Sequence, residues 1–279
     1  MKITRIINNN VVSAVNERQQ EMMLLGSGIG FQKKKGDLVE TSKIEKEFFL
    51  KSKNVTGKLY ALLAQIPMEY IRVSDSIIQH AKQSLNKELN ENIYLTLTDH
   101  INFAVARYKQ GMNFNNALLS EIKAFYSNEF RVAMKARDMI NEEFNITLPE
   151  DEAGFIALHI VNAELGSEME ETMKITQLIH KVLNIIRYQF NIHFNESSLH
   201  YSRLVTHLKF FAYRLFNHTV VKSGDSDFLH IIKEKYANEY QCSLRIAQLI
   251  RVDYGKELTE DELVYLTVHI KRVIDEEKD

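Results

Sequence analysis

Cysteine occurs once in the 279 residues, at Cys242, so no disulfide closes within one chain and a reducing compartment is the expected setting. Tryptophan is absent, and two prolines with ten glycines leave little punctuation. That scarcity argues for a mostly helical body with little disorder. No uncharged apolar run approaches the roughly 18 residues of a membrane span. Met1-Lys-Ile-Thr-Arg-Ile-Ile-Asn lacks the apolar centre of a secretory signal. A cytoplasmic protein without membrane insertion is expected. An excess of one charge is missing too, since the formal net charge is −2. Its distribution is uneven, however: residues 1–53 hold ten Lys/Arg against six acids, and the rest of the chain holds 25 against 31. A weakly basic head on an acidic body points to a polyanion that meets the head alone.

What is present begins with β-type alternation. Residues 2–7, Lys-Ile-Thr-Arg-Ile-Ile, place Ile3, Arg5 and Ile7 on one face and Thr4 and Ile6 on the other. Asn8-Asn9-Asn10 then separates this run from Val11–Val15, a hairpin signal because Asn tolerates positive φ. A second turn at Asn16–Gln20 leads to Met22–Leu25, a Gly26-Ser-Gly-Ile-Gly30 break follows, and a last strand falls near Glu47–Leu50. Four short strands bury little surface alone, so this unit is expected to work with a partner copy. From about residue 55 the spacing becomes helical. It predicts helices over 69–86, 91–108, 115–140 and 150–165, then over 171–189, 196–216, 226–250 and 260–275.

The two helical series are copies. Leu148-Pro-Glu-Asp-Glu-Ala-Gly-Phe-Ile-Ala-Leu-His-Ile160 returns without a gap as Leu258-Thr-Glu-Asp-Glu-Leu-Val-Tyr-Leu-Thr-Val-His-Ile270. Leu97-Thr-Asp-His-Ile-Asn-Phe103 returns as Leu204-Val-Thr-His-Leu-Lys-Phe210, with Arg107 on Arg214, and Tyr126–Phe130 returns as Tyr236–Tyr240. Thr259 and Glu262 form a capping box in the second copy, whereas the first has Pro149 there. The fold class is therefore multidomain: a small antiparallel β domain at 1–55, then two tandem all-α bundles at 56–170 and 171–279.

Each copy keeps two histidines at equivalent places, His100 and His159 in the first and His207 and His269 in the second, while histidines 80, 180, 193, 200, 218 and 230 do not recur. A buried imidazole that satisfies a helix-packing hydrogen bond is the structural alternative. Metal ligation lacks donors: adjacent helical residues point about 100° apart, so Asp99 and His100 do not readily share an ion, and the second copy has Thr206 in place of Asp99. General acid–base chemistry lacks a nucleophile, a glycine-rich phosphate loop and a carboxylate pair, so no enzyme and no cofactor is expected. The third reading makes the histidines covalent phosphate acceptors. Arg107 and Arg214 follow His100 and His207 by two helical turns and are candidate phosphate partners, with ordinary helix-end arginines as the alternative.

The order Ile-Ile-Asn-Asn-Asn-Val-Val, Gly-Ile-Gly-Phe-Gln-Lys-Lys, Leu-Thr-Asp-His-Ile-Asn-Phe and Glu-Asp-Glu-Ala-Gly-Phe-Ile-Ala-Leu-His-Ile-Val-Asn-Ala-Glu resembles the BglG/SacY family of transcriptional antiterminators over essentially the whole chain. The resemblance implies a homodimeric RNA-binding head and two phosphotransferase (PTS) regulation domains. It implies an RNA hairpin as target, in the leader of a sugar operon with β-glucosides as the expected sugars, and HPr and a sugar-specific permease (enzyme II) as partners. It further implies inhibitory phosphate on His100 and His159 and activating phosphate on His207 and His269. In the head it implies RNA contacts at Asn10, Gly26 and Phe31; Arg5 and Lys33–Lys35 are candidate phosphate contacts, with solvated surface cations as the alternative. Many relatives read Gly-Arg-Gly at the bend, and Ser27, which stands in the arginine's place here, is a candidate RNA contact. The residues themselves fit either role: an Asn amide reads base edges or makes a turn, and a Phe stacks on an unpaired base or fills a core. Two further classes compete. A DNA-binding activator with the same regulatory units would need an N-terminal helix-turn-helix, and a metal-dependent enzyme would need a ligand set.

Overall fold

Alternation at the N-terminus gives one antiparallel sheet of β1 (Lys2–Asn8), β2 (Val11–Val15), β3 (Glu21–Leu25) and β4 (Lys46–Phe49), in that order. The computed structural model describes residues 1–16, 18–49, 65–112, 114–167, 169–217 and 226–276. The expected strand end at Leu50, the boundary at 55/56 and the start of the helical spacing, over 55–64, lie outside them.

Two local expectations for the head are corrected. The strict alternation of faces in β1 fails, because the register with β2 shifts between Ile3 and Arg5 and again between Ile6 and Asn8. An extra residue at a bulge turns the side chains that follow. Ile6 thereby packs against the same core as Ile3, with Val12, Ala14, Met22, Leu24, Ile29 and Val39. The turn at Asn9–Asn10 uses no positive φ. Asn8 instead accepts the Asn10 N–H on its side-chain oxygen at 2.8 Å, an Asx turn. On the opposite face Val11, Ser13, Met23 and Leu25 are also buried, so β2 and β3 are covered on both sides within the single chain.

The helical part consists of α1 (Met68–Leu85), α2 (Ile93–Lys109), α3 (Leu119–Phe125), α4 (Ser127–Phe144), α5 (Glu150–Leu165), α6 (Met169–Phe190), α7 (Leu199–Phe216), α8 (Ser226–Lys235), α9 (Ala237–Tyr254) and α10 (Glu260–Glu276). The single helices expected over 115–140 and 226–250 are each broken in two. Tyr126 (φ −124, ψ 45) and Tyr236 (φ −122, ψ 47) leave the helical region at equivalent positions of the repeat. Apolar spacing runs on through each break, which is why periodicity alone reads them as continuous. Among described residues, 1–49 contain strands and one 3₁₀ turn (Thr41–Lys43), not the helix-turn-helix that a DNA-binding activator requires.

The chain divides into two compact units, 1–116 with 128–166 and 117–127 with 167–279. In the first, α2 and α5 lie against each other; in the second, α7 and α10 do. These contacts set the histidines face to face. Segment 117–127, part of the first copy by sequence, belongs to the second unit, where the Tyr126 hydroxyl lies 3.3 Å from Thr176 Oγ1 on α6. No helix among the described residues is long and apolar enough to cross a membrane.

Candidate functional site

Two kinds of site emerge. The first is the bend after β3. Gly26 is buried, and a Cβ there would lie 1.7 Å from the Lys43 carbonyl oxygen, so the close approach of two backbones demands glycine. Gly28 takes φ +67, a left-handed conformation that also favours glycine. Hydrogen bonds hold the bend from both flanks. The Gly26 N–H donates to the Asn10 carbonyl at 3.0 Å and the Gly28 N–H to Asn10 Oδ1 at 2.9 Å. The Ser27 N–H donates to Glu45 Oε1 at 2.9 Å. Arg72 on α1 grips the same carboxylate through two bonds of 2.8 Å and holds the Glu45 pKa below the usual carboxylate value. The clamped bend presents Phe31, which is 56% exposed, beside exposed Ser27.

Asn10, Gly26, Ser27 and Phe31 thus fall on one surface feature. Asn10 contributes both its backbone carbonyl and its side-chain oxygen to bend geometry, and Gly26 acts by packing. Arg5 is exposed on β1. A ring exposed in this way stacks on unpaired bases without first leaving a core.

The second kind of site is the histidine pair, present once in each helical copy. In the first unit α2 carries His100 and α5 carries His159, their ring centroids 4.9 Å apart and tilted by 44°. Burial, with a smaller push from His100, depresses the His159 pKa to about 3, so this imidazole is neutral at physiological pH. Glu152, one helical turn before Phe155 on α5, is buried and accepts from Arg107 at 2.7 Å, while its other oxygen lies 3.2 Å from His100 Nε2. The Arg107 guanidinium is enclosed by the rings of Phe103 and Phe114, at 4.8 and 4.5 Å. Arg107, in the last turn of α2, is therefore a buried partner of Glu152.

In the second unit α7 carries His207 and α10 carries His269, stacked at 3.8 Å with 26° between the planes. Burial and His207 lower the His269 pKa to about 4, and burial with Arg272, Arg203 and Arg214 lowers that of His207. The Tyr265 hydroxyl lies 2.8 Å from His207 Nδ1 and 3.4 Å from the His207 carbonyl oxygen. When it donates to that carbonyl, it accepts the Nδ1–H and leaves the Nε2 lone pair available. The Arg214 guanidinium lies 5.4 Å from the Tyr265 ring.

The copies therefore differ chemically, and the difference starts at the helix cap. In the second copy Glu262 accepts the Thr259 N–H at 2.8 Å and faces the Thr259 hydroxyl at 3.1 Å, which spends its carboxylate on the capping box. Pro149 in the first copy has neither N–H nor hydroxyl to offer, and Glu152 turns to Arg107 and His100 instead. Sequence reasoning named the four histidines, which face each other in pairs, and both arginines, but it missed Glu152, Tyr265, Arg203 and Arg272. Alignment of the copies held the signal, since these positions pair as Glu152/Glu262, Phe155/Tyr265, Thr96/Arg203 and Asn162/Arg272.

A β head joined to two histidine-bearing helical domains defines a regulatory protein, and comparison with known proteins agrees. Residues 1–56 match the CAT RNA binding domain, and residues 75–163 and 180–273 each match the PRD domain. The chain belongs to the family of transcription antiterminators that combine these domains. It is 51% identical to transcription antiterminator LicT of Bacillus subtilis over 98% of this chain and 99% of that protein. It is 45% identical to the beta-glucoside operon antiterminator of Dickeya chrysanthemi over 98% of this chain and 96% of that one. The crystal structure of GlcT CAT-PRDI superposes with a TM-score of 0.52 at 39% identity, covering 58% of this chain and 97% of that one.

Proposed function

We propose that the protein is a homodimeric cytoplasmic antiterminator whose head, residues 1–55, holds an RNA hairpin in the leader of a sugar operon and so prevents the terminator from forming. The names of its relatives support a β-glucoside operon. Residues 56–170 and 171–279 are the two PTS regulation domains. His100 and His159 take inhibitory phosphate under control of a sugar-specific permease, and His207 and His269 take activating phosphate from HPr. The observation that carries this reading is a pair of facing histidines in each copy, three of the four with lowered pKa. A neutral imidazole attacks phosphorus with a ring-nitrogen lone pair, the bond from phosphorus to the donor's leaving atom breaks, and that atom departs with the bond's electron pair. At His207 the attacking atom is Nε2 in the tautomer whose Nδ1–H donates to the Tyr265 hydroxyl, that hydroxyl donating in turn to the His207 carbonyl.

Incubation with HPr, enzyme I and phosphoenolpyruvate tests the site assignment. The double substitution His207→Ala, His269→Ala should remove HPr-dependent labelling, and undiminished labelling would refute it. The head is tested separately on the full chain. Phe31→Ala should weaken hairpin binding by about 10- to 100-fold, equivalent to about 1–3 kcal/mol of stacking. Since Phe31 is exposed, the melting temperature should not move. Unchanged affinity in a fluorescence-anisotropy titration would take Phe31 out of the interface.

A further inference from the structure

The two histidine pairs present opposite surroundings to an incoming dianion. Around the second pair stand three arginines: Arg203 one turn before His207, Arg272 three residues after His269, and Arg214 two turns beyond His207. All three act electrostatically on His207. The first pair has Thr96 and Asn162 where the second has Arg203 and Arg272. Its one equivalent arginine, Arg107, is already paired with Glu152, whose other oxygen lies 3.2 Å from His100 Nε2 without making a hydrogen bond to it.

We infer that Glu152 is a resident counter-anion with which phosphate at the first histidine pair must compete for Arg107, whereas the second pair is an arginine-lined receptor for a phosphate dianion. This inference rests on the phosphorylation reading above and supplies the physical basis for the opposite signs of its two sites. A phosphoryl group on His207 or His269 brings negative charge into unneutralised arginines carried by both α7 and α10, and so ties those helices together. A phosphoryl group on His100 competes with a buried carboxylate for a single arginine. Glu152 must give up Arg107, which cuts the buried ion pair joining α2 to α5. Phosphate therefore locks one helix pair and unfastens the other.

The test uses inorganic phosphate and the full chain, with the histidine ring resonances followed by NMR at constant ionic strength. Phosphate should shift the His207 and His269 signals saturably and leave His100 and His159 unmoved. Arg203→Gln with Arg272→Gln should weaken the response by about tenfold or more. Glu152→Gln should free Arg107 and make the first pair respond. Should that variant fail to fold, Thr259→Pro provides the converse. It removes the cap partner of Glu262, reproduces the Pro149 arrangement and should lower the phosphate affinity of the second pair severalfold. A native first pair that responds as strongly as the second, or a second pair that ignores phosphate, would overturn the inference. No phosphotransferase enzymes enter this titration, so its failure is distinguishable from failure of the labelling assay.

Discussion

Gly26→Ala should abolish hairpin binding by the full-length protein, lowering affinity at least about a hundredfold, while the helical far-UV signal is retained. The added methyl would lie 1.7 Å from the Lys43 oxygen, 2.8 Å from the Lys43 carbonyl carbon and 3.4 Å from the Glu45 nitrogen. These are backbone atoms, so no side-chain rotation relieves the clash. They are also fixed: the Glu45 N–H donates to the Leu25 carbonyl at 2.8 Å, and the Gly26 N–H to Asn10 at 3.0 Å. Either the 43–45 segment or the bend must move. Movement of the segment takes the Glu45 carboxylate away from the Ser27 N–H and strains its bonds to Arg72. Movement of the bend breaks the Gly28–Asn10 bond and displaces Phe31. Overpacking of this kind typically costs about 1–3 kcal/mol, a large share of what a four-stranded unit has to lose. Binding of the Gly26→Ala protein within tenfold of the parent would show that the bend is not what the RNA reads.

Glycine and asparagine spacing made the β head legible, and internal repetition made the bundles legible. Both signals are local or periodic. What stayed hidden depended on partner choice. The sequence shows that Glu152 and Glu262 occupy equivalent positions three residues after Pro149 and Thr259, yet their carboxylates go to different places. A capping box is a contest for one carboxylate, and proline forfeits it. The consequence falls on His100, some fifty residues away in sequence, and only packing of α2 against α5 brings the two together. The breaks at Tyr126 and Tyr236 were hidden for another reason. A helix interruption that preserves the phase of the apolar face leaves no mark on periodicity, although the recurrence of Tyr-x-Asn-Glu in both copies flagged the place.

Acid should destabilise both bundles well before their carboxylates titrate. His159 is held at about 3 and His269 at about 4, against roughly 6.5 for a histidine in an unfolded chain. A depressed histidine pKa means that the unfolded chain binds the proton first. The stability involved is fully present above about pH 6.5 and drains away as pH falls toward the folded-state value. Between pH 7 and pH 5 the linkage amounts to about 2 kcal/mol for His159, and somewhat less for His269 because its ring is more open to solvent. The loss should continue to about pH 4 in the second unit and about pH 3 in the first, and then level off. The causes are burial of each ring, its facing histidine and, at His269, Arg272. Urea denaturation monitored at several pH values should show transition midpoints falling steadily from pH 7 to pH 5. Substitution by glutamine, which is polar and does not titrate, should flatten the slope: His159→Gln in the first unit and His269→Gln in the second. Midpoints constant down to pH 5 in the parent protein would mean that these imidazoles are not buried neutral, and the nucleophile assigned to them would lose its physical ground.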